Sequence, residues 1–121
     1  MTAHEMKQYR YGLSDLIDDI RAPRSPQELT ATGAQLHGKL ADFYFRSQNL
    51  WSARGKTIPR KLQQHSPEFT CRFAAAFEAL FVAHDPRPVV ALAEEILEPS
   101  GGLLFEGYRL DAPADFQLPP T

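Results

Sequence analysis

Cysteine occurs once, at Cys71. An internal disulfide is therefore excluded, and no cysteine cluster is available for structural zinc. No apolar run approaches the roughly 20 residues needed to span a bilayer. The first residues, MTAHEMKQYRYG, hold no apolar block of the signal-peptide type. Period-two alternation long enough for a strand is missing as well. These absences exclude small disulfide-stapled scaffolds, zinc ribbons and membrane-spanning proteins of helical type, and they lead us to expect a soluble, cytoplasmic chain. At 121 residues, with 43% hydrophobic and 23% charged residues, the chain has the size and composition of one globular domain. It is long enough to bury a core without staples.

What is present is proline-marked helical patterning. Met6, Tyr9, Leu13, Leu16, Ile17 and Ile20 recur at three- and four-residue steps and predict an amphipathic helix. Ala22-Pro23-Arg24 ends it, because the residue before a proline is pushed out of helical geometry. Ser25-Pro26-Gln27-Glu28 is a start signal: Ser25 caps, Pro26 fits the first helical position, and Glu28 completes a capping box. The stripe Leu29, Gly33, Leu36, Leu40, Phe43, Ser47 and Leu50 follows, close to a heptad seam, and predicts a long helix ending between Trp51 and Gly55. Gly33 and Gly38 weaken it unless a close helix contact requires them. Ser66-Pro67-Glu68 repeats the cap. Phe69, Phe73, Ala76, Phe77, Leu80, Phe81 and His84 then form the third stripe. Asp85-Pro86 opens a fourth helix with Val89, Leu92, Ala93, Ile96 and Leu97 inward, stopped by Pro99 and Gly101-Gly102. The expectation is an all-α, antiparallel four-helix bundle over residues 1–111, with a loose tail over 112–121.

The net charge of −2 is unevenly spread. Residues 43–65 carry Arg46, Arg54, Lys56, Arg60 and Lys61 without one acid, inside an otherwise acidic chain. Such an island either is a solvated loop and helix end or forms a local anion site, for a phosphate or an acidic partner surface. It contains Gly55-Lys56-Thr57, but the P-loop reading fails: position 50 is leucine rather than the earlier glycine, and a helix, not a strand, precedes it. The remaining alternatives are a phosphate site beside Trp51 and a connection anchored by Trp51 and Ile58. Arg60-x4-His65 suits RNA cleavage, with His65 as acid or base and Arg60 on phosphate. Asp15, Asp18 and Asp19 share one helix side with Tyr11, opposite the apolar stripe. That face either is simply solvated or receives a metal, a polyamine or an aminocyclitol. His37 and His84 read as structural, Cys71 as a small buried or boundary side chain, and Glu94-Glu95-Glu98 as a solvated face.

Taken in order, Arg10-Tyr11-Gly12-Leu13-Ser14-Asp15-Leu16-Ile17-Asp18-Asp19, Trp51-x4-Lys56-x3-Arg60-x-Leu62 and Gly101-Gly102-x-Leu104-x2-Gly107-Tyr108 resemble the C-terminal helical region of bacterial polymerase-β-type nucleotidyltransferases. That region is related in shape to the HEPN (higher eukaryote and prokaryote nucleotide-binding) bundles. The resemblance implies a substrate-binding domain that works with a catalytic α/β domain, fused or separate. The catalytic Gly-Ser turn and Asp-x-Asp pair of that family do not occur in this chain. On this resemblance the chain alone binds no cofactor and carries no catalytic residue, and magnesium and a nucleoside triphosphate enter only with the catalytic domain. Tyr11, Asp15, Asp18 and Asp19 would receive a polar or cationic small-molecule acceptor, and Lys56 and Arg60 would stand near nucleotide phosphates. Two alternatives stay open. One is a HEPN-type RNA-directed toxin or nuclease using Arg60 and His65, which requires a symmetric homodimer. The other is a non-catalytic protein-interaction module.

Overall fold

The computed structural model describes residues 2–104. The expected tail over 112–121, the domain limit at 111 and the Gly107-Tyr108 motif lie outside the described residues. The described chain is all-helical, in the order α1 (Ala3–Arg21), α2 (Pro26–Ser47), α3 (Thr57–His65), α4 (Pro67–Ala83), α5 (Arg87–Leu97) and a single 3-10 turn at Glu98–Ser100. None of its helices is long and apolar enough to cross a membrane.

Each long helix starts where a side chain can satisfy the backbone N–H groups left open by the first turn. At α1, Thr2 Oγ1 accepts from the Glu5 N–H at 3.1 Å and the Glu5 carboxylate accepts from the Thr2 N–H at 2.9 Å. That hydrogen bond holds the Glu5 carboxyl below its ordinary range. Ser25 caps α2 through the Glu28 N–H at 3.1 Å, with Pro26 in the first turn. The reciprocal half of the expected capping box differs: the Glu28 carboxylate accepts from the Arg24 N–H at 3.3 Å instead. Ser66 serves two helices. Its N–H closes α3 on the Leu62 carbonyl at 2.7 Å, and its hydroxyl accepts from the Phe69 N–H to open α4 at 3.1 Å. His84 ends α4 in the left-handed region, φ 55°.

Two sequence expectations are corrected here. The second helix stops at Ser47, not near Trp51–Gly55, and Phe45 rather than Ser47 points inward in its last turn. The stretch after it is not a plain connection, since Thr57–His65 forms α3 and buries Ile58 and Leu62. Pro59 fits there because the first turn of a helix has no use for its N–H.

The pairs α1–α2, α2–α4, α3–α4, α4–α5 and α1–α5 pack against one another around one cluster of leucine, isoleucine and phenylalanine side chains. The fourth apolar stripe is buried as expected, from Val89 to Leu97. α2 meets α4 closely at Gly33, where a Cβ would lie 2.9 Å from both Leu80 Cδ2 and Phe81 Cε1.

The chain after α5 folds back across α1. Arg10 Nε donates to the Gly102 carbonyl at 2.9 Å, and Nη2 donates to the Gly101 carbonyl at 3.0 Å. One turn along, the buried Ser14 hydroxyl accepts from the Leu104 N–H at 2.7 Å. Gly101 is favoured by its φ of +114°, and a Cβ there would also sit 2.8 Å from the Arg10 guanidinium and displace that side chain from its hydrogen bonds.

Candidate functional site

The densest polar cluster among the described residues centres on Asp42, a half-buried carboxylate on α2. Tyr9 on α1 donates its hydroxyl hydrogen to Asp42 Oδ2, and Ser52, in the connection after α2, donates its own to Oδ1. Arg46 lies one turn further along α2, with Nε 3.3 Å from the same carboxylate and its guanidinium 5.7 Å from the Tyr9 ring centre. One carboxylate thus draws donors from α1, α2 and the connecting segment. Lys61 on α3 donates to the Trp51 carbonyl and lies 5.4 Å from the Phe45 ring centre. The Leu50 N–H donates to the Phe45 carbonyl at 2.8 Å. The connection is therefore fixed at Leu50, Trp51 and Ser52, while the Trp51 indole is left 88% exposed. Of the two anchors expected for this segment, Ile58 is buried and Trp51 is not.

Two adjoining depressions run through this cluster. One, of about 370 Å³, lies along α1 between Glu5 and Leu13 and reaches Lys39 and Arg46. The other, of about 430 Å³, continues from Tyr9, Lys39 and Arg46 to Ser52, Arg54 and Gly55. Tyr9, Lys39 and Arg46 line both, so the two form one groove between α1, α2 and the connection. A separate depression near Tyr44 contains Arg72, but that cation is already taken. Its Nη1 and Nη2 donate to Glu95 at 2.7 and 2.8 Å, and Nε lies 3.3 Å from Glu68. The pairing holds the Glu95 carboxyl below its ordinary range, so the acidic turn on α5 is tied at Glu95 rather than freely solvated.

The residues singled out in the sequence fall in three places. Asp15, Asp18 and Asp19 are exposed on α1 and Tyr11 is half-buried there. Their spacing gathers them on one side of the helix. No group of three or more His, Cys, Asp or Glu among the described residues is arranged to hold a metal ion. Lys56 stands at the N-terminal end of α3 and Arg60 one turn into it, both exposed. His65 closes α3 with its ring edge-on to Tyr44, at 5.8 Å between centres. Five positions along a helix turn a side chain by roughly 140°, so Arg60 and His65 leave α3 on different sides. Cys71, expected to be buried or at a boundary, is exposed.

Sequence reasoning overlooked Asp42. Its i,i+4 pair with Arg46 is a common surface spacing that singles nothing out, and its other partners come from 33 residues before and 10 residues after it. Compared with family models, curated proteins and solved structures, the chain matches none. The fold class, all-helical over the described residues, rests on the structure alone.

Proposed function

We propose that this chain is a helical substrate-binding or accessory domain of a nucleotidyltransferase system: an antiparallel four-helix bundle of HEPN-like shape, with the transfer chemistry supplied by a catalytic domain carrying the Gly-Ser and Asp-x-Asp elements. The observation that supports it most is the meeting of two segments that carry the resemblance. Arg10 and Ser14, from the first, hold Gly101, Gly102 and Leu104, from the last, by direct hydrogen bonds. These residues are then required together by the fold, which gives their joint occurrence a physical reason.

On this reading α1 offers its acidic side outward. Asp15, Asp18 and Asp19, all exposed beside Tyr11, receive a polar or cationic acceptor, the carboxylates by ion pairing and the ring by cation–π contact. Lys56 and Arg60 project from the first turn of α3 toward nucleotide phosphates. Magnesium and the nucleoside triphosphate consumed in the transfer enter with the catalytic partner.

Calorimetric titration with a polyamine or an aminocyclitol tests the acidic side. The double variant Asp15→Asn, Asp19→Asn, which changes two exposed side chains without altering their size, is expected to weaken binding by on the order of a hundredfold, each lost charged contact counting for about 1.5 kcal/mol. Unchanged affinity in that variant refutes the assignment.

A further inference from the structure

We infer that the groove between α1, α2 and the connection after α2 is a second binding site, one that takes a phosphate group. It is independent of the acidic side of α1 and stands whether or not that side receives an acceptor.

Three observations converge. The first is the shape of the walls. Gly12 on α1 lines one end of the groove and Gly38 on α2 lines the other. A Cβ at either would meet nothing within 4 Å. Neither has the positive φ that would call for glycine. Glycine inside a helix is destabilising relative to alanine, and at Gly33 the close approach of α4 explains it. At Gly12 and Gly38 no packing explains it. What both do is leave the groove open.

The second is charge. Lys39, Arg46 and Arg54 reach the groove from α2 and from the connection. Arg46 is paired with Asp42, whereas Lys39 and Arg54 form no ion pair with the described residues. The carboxylates of the groove already accept hydrogen bonds from the protein's own donors. Asp42 already accepts from Tyr9, Ser52 and Arg46. Glu5, at the far end, is turned back to the Thr2 N–H at 2.9 Å. Two uncommitted cations thus face a concave surface whose acids are held in hydrogen bonds, and a compact anion with several acceptor oxygens fits them.

The third is rigidity. Ser52 is tied to Asp42, and the Trp51 carbonyl is held by Lys61, so Arg54 springs from a fixed segment and little order is lost on binding. The Trp51 indole does not line the groove but stands exposed beside Ser52, which does, so a nucleotide would meet it only if its base extends past the rim.

The test is calorimetric titration of the full chain at low ionic strength with inorganic phosphate, diphosphate, ATP and adenosine. Diphosphate and ATP are expected to bind and adenosine is not. The double variant Lys39→Ala, Arg54→Ala is expected to lose about tenfold or more in affinity for each phosphate ligand, with its melting temperature unchanged. Gly38→Ala is expected to raise the melting temperature by about 3–5 °C, while Gly38→Leu, which fills the groove, abolishes binding without lowering it. Tighter binding of ATP than of diphosphate, lost in Trp51→Ala, identifies the source as a nucleotide. Equal binding of the two identifies a free or differently substituted phosphate. No binding of any phosphate ligand, binding that survives the Lys39/Arg54 double variant, or binding of adenosine equal to that of ATP overturns the proposal. None of these results bears on polyamine binding by Asp15 and Asp19, so the two sites fail separately.

Discussion

At Gly33, Gly12 and Gly38 the same residue type sits inside a helix under opposite constraints. A methyl group at Gly33 would lie 2.9 Å from Leu80 Cδ2, and Leu80 is fully buried, so it has nowhere to retreat. Overpacking of this kind costs about 1–3 kcal/mol and outweighs the roughly 1 kcal/mol that alanine gains over glycine in a helix. Gly33→Ala is therefore expected to lower stability by about 1 kcal/mol, measured by urea unfolding followed by far-ultraviolet circular dichroism, in contrast to the gain expected for Gly38→Ala. The sequence raised the question for both α2 glycines but could not separate them, because the answer lies at Leu80 and Phe81, in a helix much further along the chain. The same holds for Asp42: the pair with Arg46 one turn on was there to be read, but Tyr9 and Ser52, which make it the centre of a cluster, reach it from α1 and from the connection.

Among the elements, the long helices were readable because their boundaries are written in side-chain chemistry. Ser25-Pro26 and Ser66-Pro67 each place a hydroxyl acceptor before a proline, and both hydroxyls cap as read. Helix α3 escaped because it has nine residues and no side-chain cap, and its apolar face consists of Ile58 and Leu62 alone among cations. The signal that could have revealed it is that i, i+4 pair, closed by the Ser66 stop. The return of Gly101–Leu104 over α1 could not be read from periodicity, since hydrogen bonds to Arg10 and Ser14 hold it, not an apolar stripe. Ser14→Ala leaves the half-buried Leu104 N–H without its acceptor and is expected to cost about 1–3 kcal/mol. Hydrogen exchange tests this directly: the Leu104 amide should lose protection in Ser14→Ala while amides in α4 keep theirs relative to the global stability.

For the molecule as a whole, one imidazole makes stability on the acid side of neutral pH depend on protonation. His37 lies half-buried between α2 and α4, edge-on to Phe73 and Phe77 at 5.0 and 4.9 Å between ring centres. Burial pushes its pKa below the ordinary value of 6.5. The unfolded chain therefore takes up a proton first as pH falls. The stability present above pH 6.5 declines below that value and levels off once the folded imidazole is itself protonated. Carboxyl groups such as Glu95, whose ordinary value is 4.5, add their losses only at lower pH. Melting temperatures recorded between neutral pH and pH 5 should fall for the parent chain and stay level for His37→Leu. A parent chain with a flat profile over that interval would contradict the buried, neutral histidine.

Trp51 carries a practical consequence for every such measurement. It is the sole tryptophan, and it stands 88% exposed in the folded chain. Its emission already comes from an indole surrounded by water, so heating or urea changes its environment little while the helices melt. A fluorescence trace will be nearly silent on unfolding. For the same reason, a blue shift on adding a solute reports on the connection after α2 and not on the integrity of the fold.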